Sequence, residues 1–159
     1  MKSRPRSVER KVAEYLTTML FSDIGKAPVQ RIPVLGRTGP DITMNSLSWV
    51  IDVKSRLQVP KGVFCKEGLL DDGVFLSIRL SVIVDLTNTT FECGRAPSFG
   101  KTVTDWWNHM DEWTREFCPD GLTMLILHKP RMPIGKSVVI IHKKDLRRFL
   151  TWREDAQQK

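Results

Sequence analysis

Amphipathic helical stretches and short apolar runs alternate along the chain in an order that few folds accommodate. Behind the predicted N-cap residue Ser7, apolar residues recur at helical spacing over residues 8–20. Three strand-like runs follow, and beyond residues 57–103 come a second helix, two continuous apolar strands and a closing helix that starts near Lys143. This order predicts a mixed α/β protein in which helices cover a central sheet.

The region between the two halves of this pattern gives weaker signals. Residues 57–73 contain several Gly and Pro residues and predict a loop, whereas the apolar residues at even positions over 74–86 predict one long strand or a hairpin arm with one side buried. The second helix is predicted to begin at a cap on Thr104. Its tryptophans could stack on nucleic-acid bases, but their helical spacing favours core packing. The predicted buried stripe consists of Trp106, Met110, Trp113 and Phe117.

The charge of the chain is positive and unevenly distributed. There are 25 Lys and Arg residues against 18 Asp and Glu, a formal charge of +7. Residues 127–148 hold seven positive residues and one negative, whereas residues 104–120 hold five negative and one positive. Such a field attracts a polyphosphate, although a basic solvated surface would have the same composition. No apolar run approaches the 18 or so residues needed to span a membrane, so no membrane partner is expected.

The segment GPDITMNSLSWVIDVKS carries the residues best suited to chemistry. Because alternate residues of a strand share a face, Asp52 and Lys54 should lie side by side. Asp41 and Asp52, at the ends of paired strands, can hold a hard divalent cation, with the Val53 carbonyl as a further oxygen ligand. Glu9, at the edge of the apolar stripe of the first helix, can complete the acidic group, and Lys54 can polarise the attacking water.

A structural explanation exists for each of these residues. Asp41 could cap a turn, and Asp52 with Lys54 could be an exposed pair on a strand. The chain contains a second Pro-Asp pair, at 119–120, which is followed by no acid-x-Lys pattern. Only the first pair is followed by a strand that carries an acid-x-Lys pattern and is preceded by a helix with a well-placed glutamate, and this context favours the functional interpretation.

Three segments, SVERKVAEYL, RIPVLGRTGPDI and VIDVKSR, resemble the PD-(D/E)XK nuclease superfamily. Within it, the pattern is most similar to that of archaeal-type Holliday junction resolvases and their phage relatives. The resemblance covers residues 7–56 and resumes loosely over 104–150, while residues 57–103 depart from it as an insertion. Thr38 stands where that family would have serine.

The resemblance implies a restriction-endonuclease-like fold, with a mixed central sheet flanked by helices and a β-rich insertion over 57–103, in a single nuclease domain spanning 1–159. It further implies hydrolysis of DNA phosphodiesters with Mg²⁺, which Mn²⁺ can replace, by a homodimer acting on branched DNA. Residues 12–21, VAEYLTTMLF, are a poor signal-peptide core, so we expect a cytoplasmic protein of a prokaryotic or phage-infected cell. The implied catalytic residues are Glu9, Asp41, Asp52 and Lys54, with Val53 joining the three acids as metal ligands. The implied DNA-contacting residues are Arg10, Arg31, Arg37, Thr38, Arg56, Lys129 and Arg131.

Two other functions are compatible with the same residues. The chain could be a nuclease of this superfamily that cuts linear or site-specific duplex DNA. It could also be a basic DNA-binding accessory protein without catalysis, which would bind in a salt-dependent manner and yield no metal-dependent product.

Overall fold

The described part of the chain forms four α-helices and eight strands of one mixed sheet. The computed structural model describes residues 5–21, 30–31, 42–44, 49–56, 59, 61–64, 69–83 and 93–151. The helices are α1 (Pro5–Phe21), α2 (Leu80–Ile83), α3 (Lys101–Phe117) and α4 (Leu146–Leu150). The strands are β1 (Gln30–Arg31), β2 (Ile42–Met44), β3 (Trp49–Ser55), β4 (Leu69–Asp71), β5 (Phe75–Arg79), β6 (Cys93–Arg95), β7 (Leu122–His128) and β8 (Val138–His142).

The strands lie in the order β1-β2-β3-β7-β8-β5-β4-β6. Strands β1, β2 and β3 form an antiparallel meander, and β7 runs parallel to β3 along its whole length, from Trp49 opposite Leu122 to Ser55 opposite His128. Strands β7, β8, β5 and β4 then pair antiparallel, and β6 is parallel to β4. Helix α3 makes the crossover to β7, because parallel neighbours need a long connection. The parallel pair β3–β7 brings two carboxyl ends to one edge of the sheet.

Each face of the sheet is covered by a helix. On one face, α1 packs its buried Val12 and Leu16 against Ile51 and Val53 of β3. On the other face, α3 packs its buried Trp107 against residues of β7 and β8, including Leu125, Leu127, Val138 and Ile140. Asp52 and Lys54 pair with Leu125 and Leu127 in the register, so they lie on the α3 face.

The α/β class and the mixed sheet flanked by helices are confirmed, but several boundaries differ from the predictions. Helix α1 starts at Pro5, whose fixed φ suits a first helical position, rather than after Ser7. The predicted strand over 74–86 ends at Arg79, and α2 follows because Leu80 and Ile83 both face the core. The predicted loop over 57–73 contains β4. The closing helix starts with a 3₁₀ turn, Lys143–Asp145, before α4.

The register of α3 also differs from the prediction. The helix begins at Lys101, and Thr104 lies inside its first turn, where its hydroxyl donates to the Gly100 carbonyl. Its buried residues are Val103, Trp107, Met110 and Thr114. The burial predicted for Met110 is confirmed, but Trp107 and Thr114 are buried where Trp106 and Trp113 were predicted, and Phe117 is exposed. None of the described helices is long and apolar enough to cross a membrane.

Candidate nucleic-acid interface

Four cationic residues lie at or just beyond the carboxyl ends of β3 and β7. Lys54 is the next-to-last residue of β3, Arg56 follows that strand, and Lys129 and Arg131 lie in the turn after β7; we call these four residues the basic edge. The two ends are joined by a hydrogen bond from the Arg56 amide to the His128 carbonyl, 3.1 Å long. The parallel pairing of β3 and β7 thus places together cations that are more than 70 residues apart in the sequence.

Asp52 lies just inside the basic edge on the α3 face. It is 7% exposed, and Lys54 Nζ is 3.3 Å from its Oδ2. A buried carboxylate requires a partner of opposite charge or good hydrogen bonds, and Lys54 supplies the charge. The prediction that these two side chains share a strand face is confirmed by this ion pair. Lys54, less buried than Asp52, can also face the surface.

Two aromatic rings lie near three of the four cations of the basic edge, Lys54, Arg56 and Lys129. Lys54 Nζ and Arg56 Cζ are each 5.9 Å from the centroid of the Trp106 ring, and Lys129 Nζ is 5.0 Å from that of Phe64. Contacts of this kind favour the cation, because the face of an aromatic ring carries negative potential. Both rings are partly buried.

Neither ring was among the residues predicted for the site. The adjacent tryptophans at 106 and 107 contained a signal that could have found one of them. Neighbouring residues of a helix point about 100° apart, so only one of the two could face the core squarely. Trp107 is the buried one, at 3% exposure, and Trp106 is left for the surface near β3.

His128 links the end of β3 to the turn that follows β7. The residue is 4% exposed, and its Nε2 is 2.8 Å from the carbonyl oxygen of Met132, which can only accept. The Nε2–H therefore donates, and in the neutral ring Nδ1 accepts from the Ser55 hydroxyl at 3.1 Å. The two bonds hold the turn that carries Lys129 and Arg131 against the end of β3. The sequence had offered no role for this histidine.

The other predicted site residues lie on other elements of the fold or outside the described part of the chain. Glu9 is on α1, partly exposed, and α1 packs on the face of the sheet opposite to Asp52; Arg10 beside it is exposed. Arg31 is in β1, two strands from β3. The predicted residues that lie outside the described part of the chain are Arg37, Thr38 and Asp41.

The predicted metal ligands are consequently only partly placed. Within the described ranges, no group of three or more His, Cys, Asp or Glu side chains could hold a metal ion. Asp52 is placed at the basic edge, and its predicted partner Asp41 is not among the described residues. The metal site therefore stays a prediction.

A cavity of about 270 Å³ lies near the start of α3 and the end of β8. Asp72 is its most polar lining residue, but this carboxylate already accepts from the amides of Val74, Phe75 and Phe99. Because β8 is antiparallel to β7, the cavity is at the end of the sheet opposite to the basic edge. Asp72 there serves the turn before β5, and the cavity contributes nothing to the basic edge.

No protein-family model, curated protein or solved structure matches this chain.

Proposed function

We propose that the protein is a Mg²⁺-dependent endonuclease that hydrolyses phosphodiesters of branched DNA. The observation that supports this best is the buried Asp52 paired with Lys54 immediately inside the basic edge. Four cations can draw a phosphate backbone to this edge, and the carboxylate lies next to the place where a phosphate would arrive. Binding of a phosphate backbone needs only cations. A buried acid among them is better explained by hydrolysis of a phosphodiester.

The order of the elements supports a restriction-endonuclease-like fold as part of the proposal. Helix α1, the meander β1-β2-β3, the crossover helix α3, and the strands β7 and β8 followed by α4 match the order that the resemblance implies. Strands β5, β4 and β6 extend the sheet beyond β8. Residues 57–103 therefore add strands at one side of the sheet and replace none of the elements that the resemblance implies.

The donors proposed for the metal are hard oxygen atoms, which Mg²⁺ prefers. Asp52 would hold it together with Asp41, the Val53 carbonyl and Glu9, and Mn²⁺ could replace it. When bound, the metal would supply an activated water and stabilise charge on the phosphate. Lys54, already within 3.3 Å of Asp52, would orient that water or the phosphate oxygen, and Arg56, Lys129 and Arg131 would hold the flanking backbone.

A second candidate is binding of nucleic acid without catalysis, and one observation favours it. Helix α1, which carries Glu9, packs on the face of the sheet opposite to Asp52, so this acid can reach the proposed site only around the end of β3. Under this candidate the basic edge would bind DNA, and Asp52 would serve only to pair with Lys54.

Cleavage of a substrate panel separates these functions. A four-way junction, a linear duplex and a single strand of the same sequence are incubated with the full chain, with Mg²⁺ or with EDTA. The proposal predicts products from the junction only in Mg²⁺, as paired nicks of symmetric position if a homodimer acts. Equal cutting of the linear duplex would show that the nuclease does not prefer branched DNA. Salt-dependent binding without products in either Mg²⁺ or Mn²⁺ would establish the second candidate.

A further inference from the structure

The Trp106 ring packs partly buried against the core between α3 and the sheet. Its neighbours Val103, Trp107 and Met110 on α3 are buried and fix the helix in place. The position of the ring is therefore supported by core contacts that involve no ligand. A ring fixed in this way can position flexible side chains that lie against it.

The two side chains against the ring belong to one strand end. Lys54 and Arg56 are two residues apart and both lie 5.9 Å from the same centroid. Like charges held this close repel each other, and the negative potential of the ring face offsets that repulsion. Without the ring, one of the two cations would be expected to turn away.

Lys54 has a second partner that competes with the ring. The Asp52 carboxylate is 3.3 Å from its ammonium group and more deeply buried. At this distance the ammonium is already paired with the carboxylate, while the Lys54 side chain stays 24% exposed. The Trp106 ring attracts the same ammonium from 5.9 Å, so the ring gives Lys54 a second anchor in a position where a phosphate can contact it.

We infer that Trp106 is a positioning residue, which holds Lys54 and Arg56 side by side so that both can contact the same stretch of a DNA backbone. The inference rests on the proposed function for its substrate. Trp106 itself needs no contact with the DNA, and its effect passes through the two cations.

The test compares Trp106→Leu and Trp106→Phe with Trp113→Leu. Trp113 lies on the same helix and is also partly buried, but its ring packs against that of Phe117, tilted by 37° with the centroids 4.9 Å apart. Binding to a labelled four-way junction is measured in EDTA at several salt concentrations. Trp106→Leu should weaken binding about tenfold, from the loss of two ring–cation contacts, and should lower the salt slope by up to about 1.8. Trp106→Phe should restore most of the affinity, and Trp113→Leu should leave both quantities unchanged.

A second readout follows the cation without any DNA. In the wild-type protein, the ε-methylene protons of Lys54 should show an upfield ring-current shift by NMR, and this shift should disappear in Trp106→Leu. Equal affinity loss in Trp106→Leu and Trp113→Leu would make Trp106 merely structural and overturn the inference, as would an unchanged Lys54 resonance. If the wild type neither binds nor cuts DNA, the proposed function fails, and the Lys54 resonance still decides whether the ring holds the cation.

Discussion

Removing one cation from the basic edge should weaken DNA binding, and the size of this loss in affinity should depend on the salt concentration. The structure places four cations at the ends of two adjacent strands. If each contacts one duplex phosphate, the slope of log K against log salt should be about −3.6, and affinity should fall about 150-fold between about 50 and 200 mM salt. Arg131 is the cation chosen for removal, because it is exposed and no described ion pair depends on it.

The substitution has to respect the backbone at this position. Arg131 has φ of 69°, in the left-handed region, where asparagine is tolerated better than alanine. Arg131→Asn should reduce the slope to about −2.7, so that the same change in salt costs only about 40-fold in affinity. Fluorescence anisotropy of a labelled junction, measured at five or more salt concentrations, gives the slope directly.

Arg147→Gln is the matched control. Arg147 is also exposed, but α4 packs through Phe149 on Trp49, at the amino end of β3 and thus away from the basic edge. The control should keep the wild-type slope. If Arg131→Asn leaves the slope unchanged while Arg147→Gln reduces it, DNA binds another surface and the assignment of the basic edge is refuted.

Three further predictions concern stability. A hydrogen bond from Lys143 holds the pKa of Asp71 below its usual range, so this carboxylate stabilises the fold at neutral pH, and the stabilisation is lost as the pH falls through the pKa of the folded state. Asp71→Asn should therefore lower the free energy of unfolding by about 0.5–1 kcal/mol at pH 7 and by progressively less in acid. Urea unfolding at a series of pH values measures this, and a difference that does not change with pH would contradict it. Gly121→Ala should lower the free energy of unfolding by about 1–3 kcal/mol, because its Cβ would lie 2.9 Å from the carbonyl oxygen of Cys118. The Cβ of Gly62→Ala would meet nothing within 4 Å, so this control should lose much less stability, and equal losses would contradict the packing around Gly121. Phe149→Ala should cost about 3–5 kcal/mol because the ring is fully buried, and a loss below about 1 kcal/mol in thermal unfolding would show that α4 does not pack there.

The parts of the fold that the sequence predicted rest on local patterns. From Ile51 to Lys54, β3 alternates apolar and polar side chains, and this alternation alone placed Asp52 beside Lys54. Strands β7 and β8 were recognisable as continuous apolar runs, which are typical of strands covered on both faces. The order of helices and strands then indicated the layers of the molecule.

The errors arose where two local solutions were nearly equal and tertiary contacts decided between them. Trp106 and Trp107 give α3 two candidate stripes of similar hydrophobicity, and the contact of Trp107 with Phe75 selects the second. The apolar residues after Arg79 suit a strand by pattern, yet the chain turns into α2, where the Leu80 amide donates to the carbonyl of Ser137. Neither partner could be known before the sheet order was known.

The candidate site shows the same division. Arg56, Lys129 and Arg131 were predicted to contact DNA from their charge and from the resemblance, but their closeness depends on the parallel pairing of β3 with β7. Phe64 and His128 were missed because their roles exist only through residues distant in the sequence. A histidine between two strand ends has no signature in its own neighbourhood.

The most direct test of the central claim compares cleavage by Asp52→Asn with cleavage by Asp105→Asn. Both exchange an acid for its amide next to a lysine, but Asp105 pairs with Lys101 on the exposed surface of α3. With a four-way junction and Mg²⁺, we expect Asp52→Asn to bind the junction yet form no product, and Asp105→Asn to cut at the wild-type rate. Full cleavage by Asp52→Asn would refute the catalytic role of Asp52.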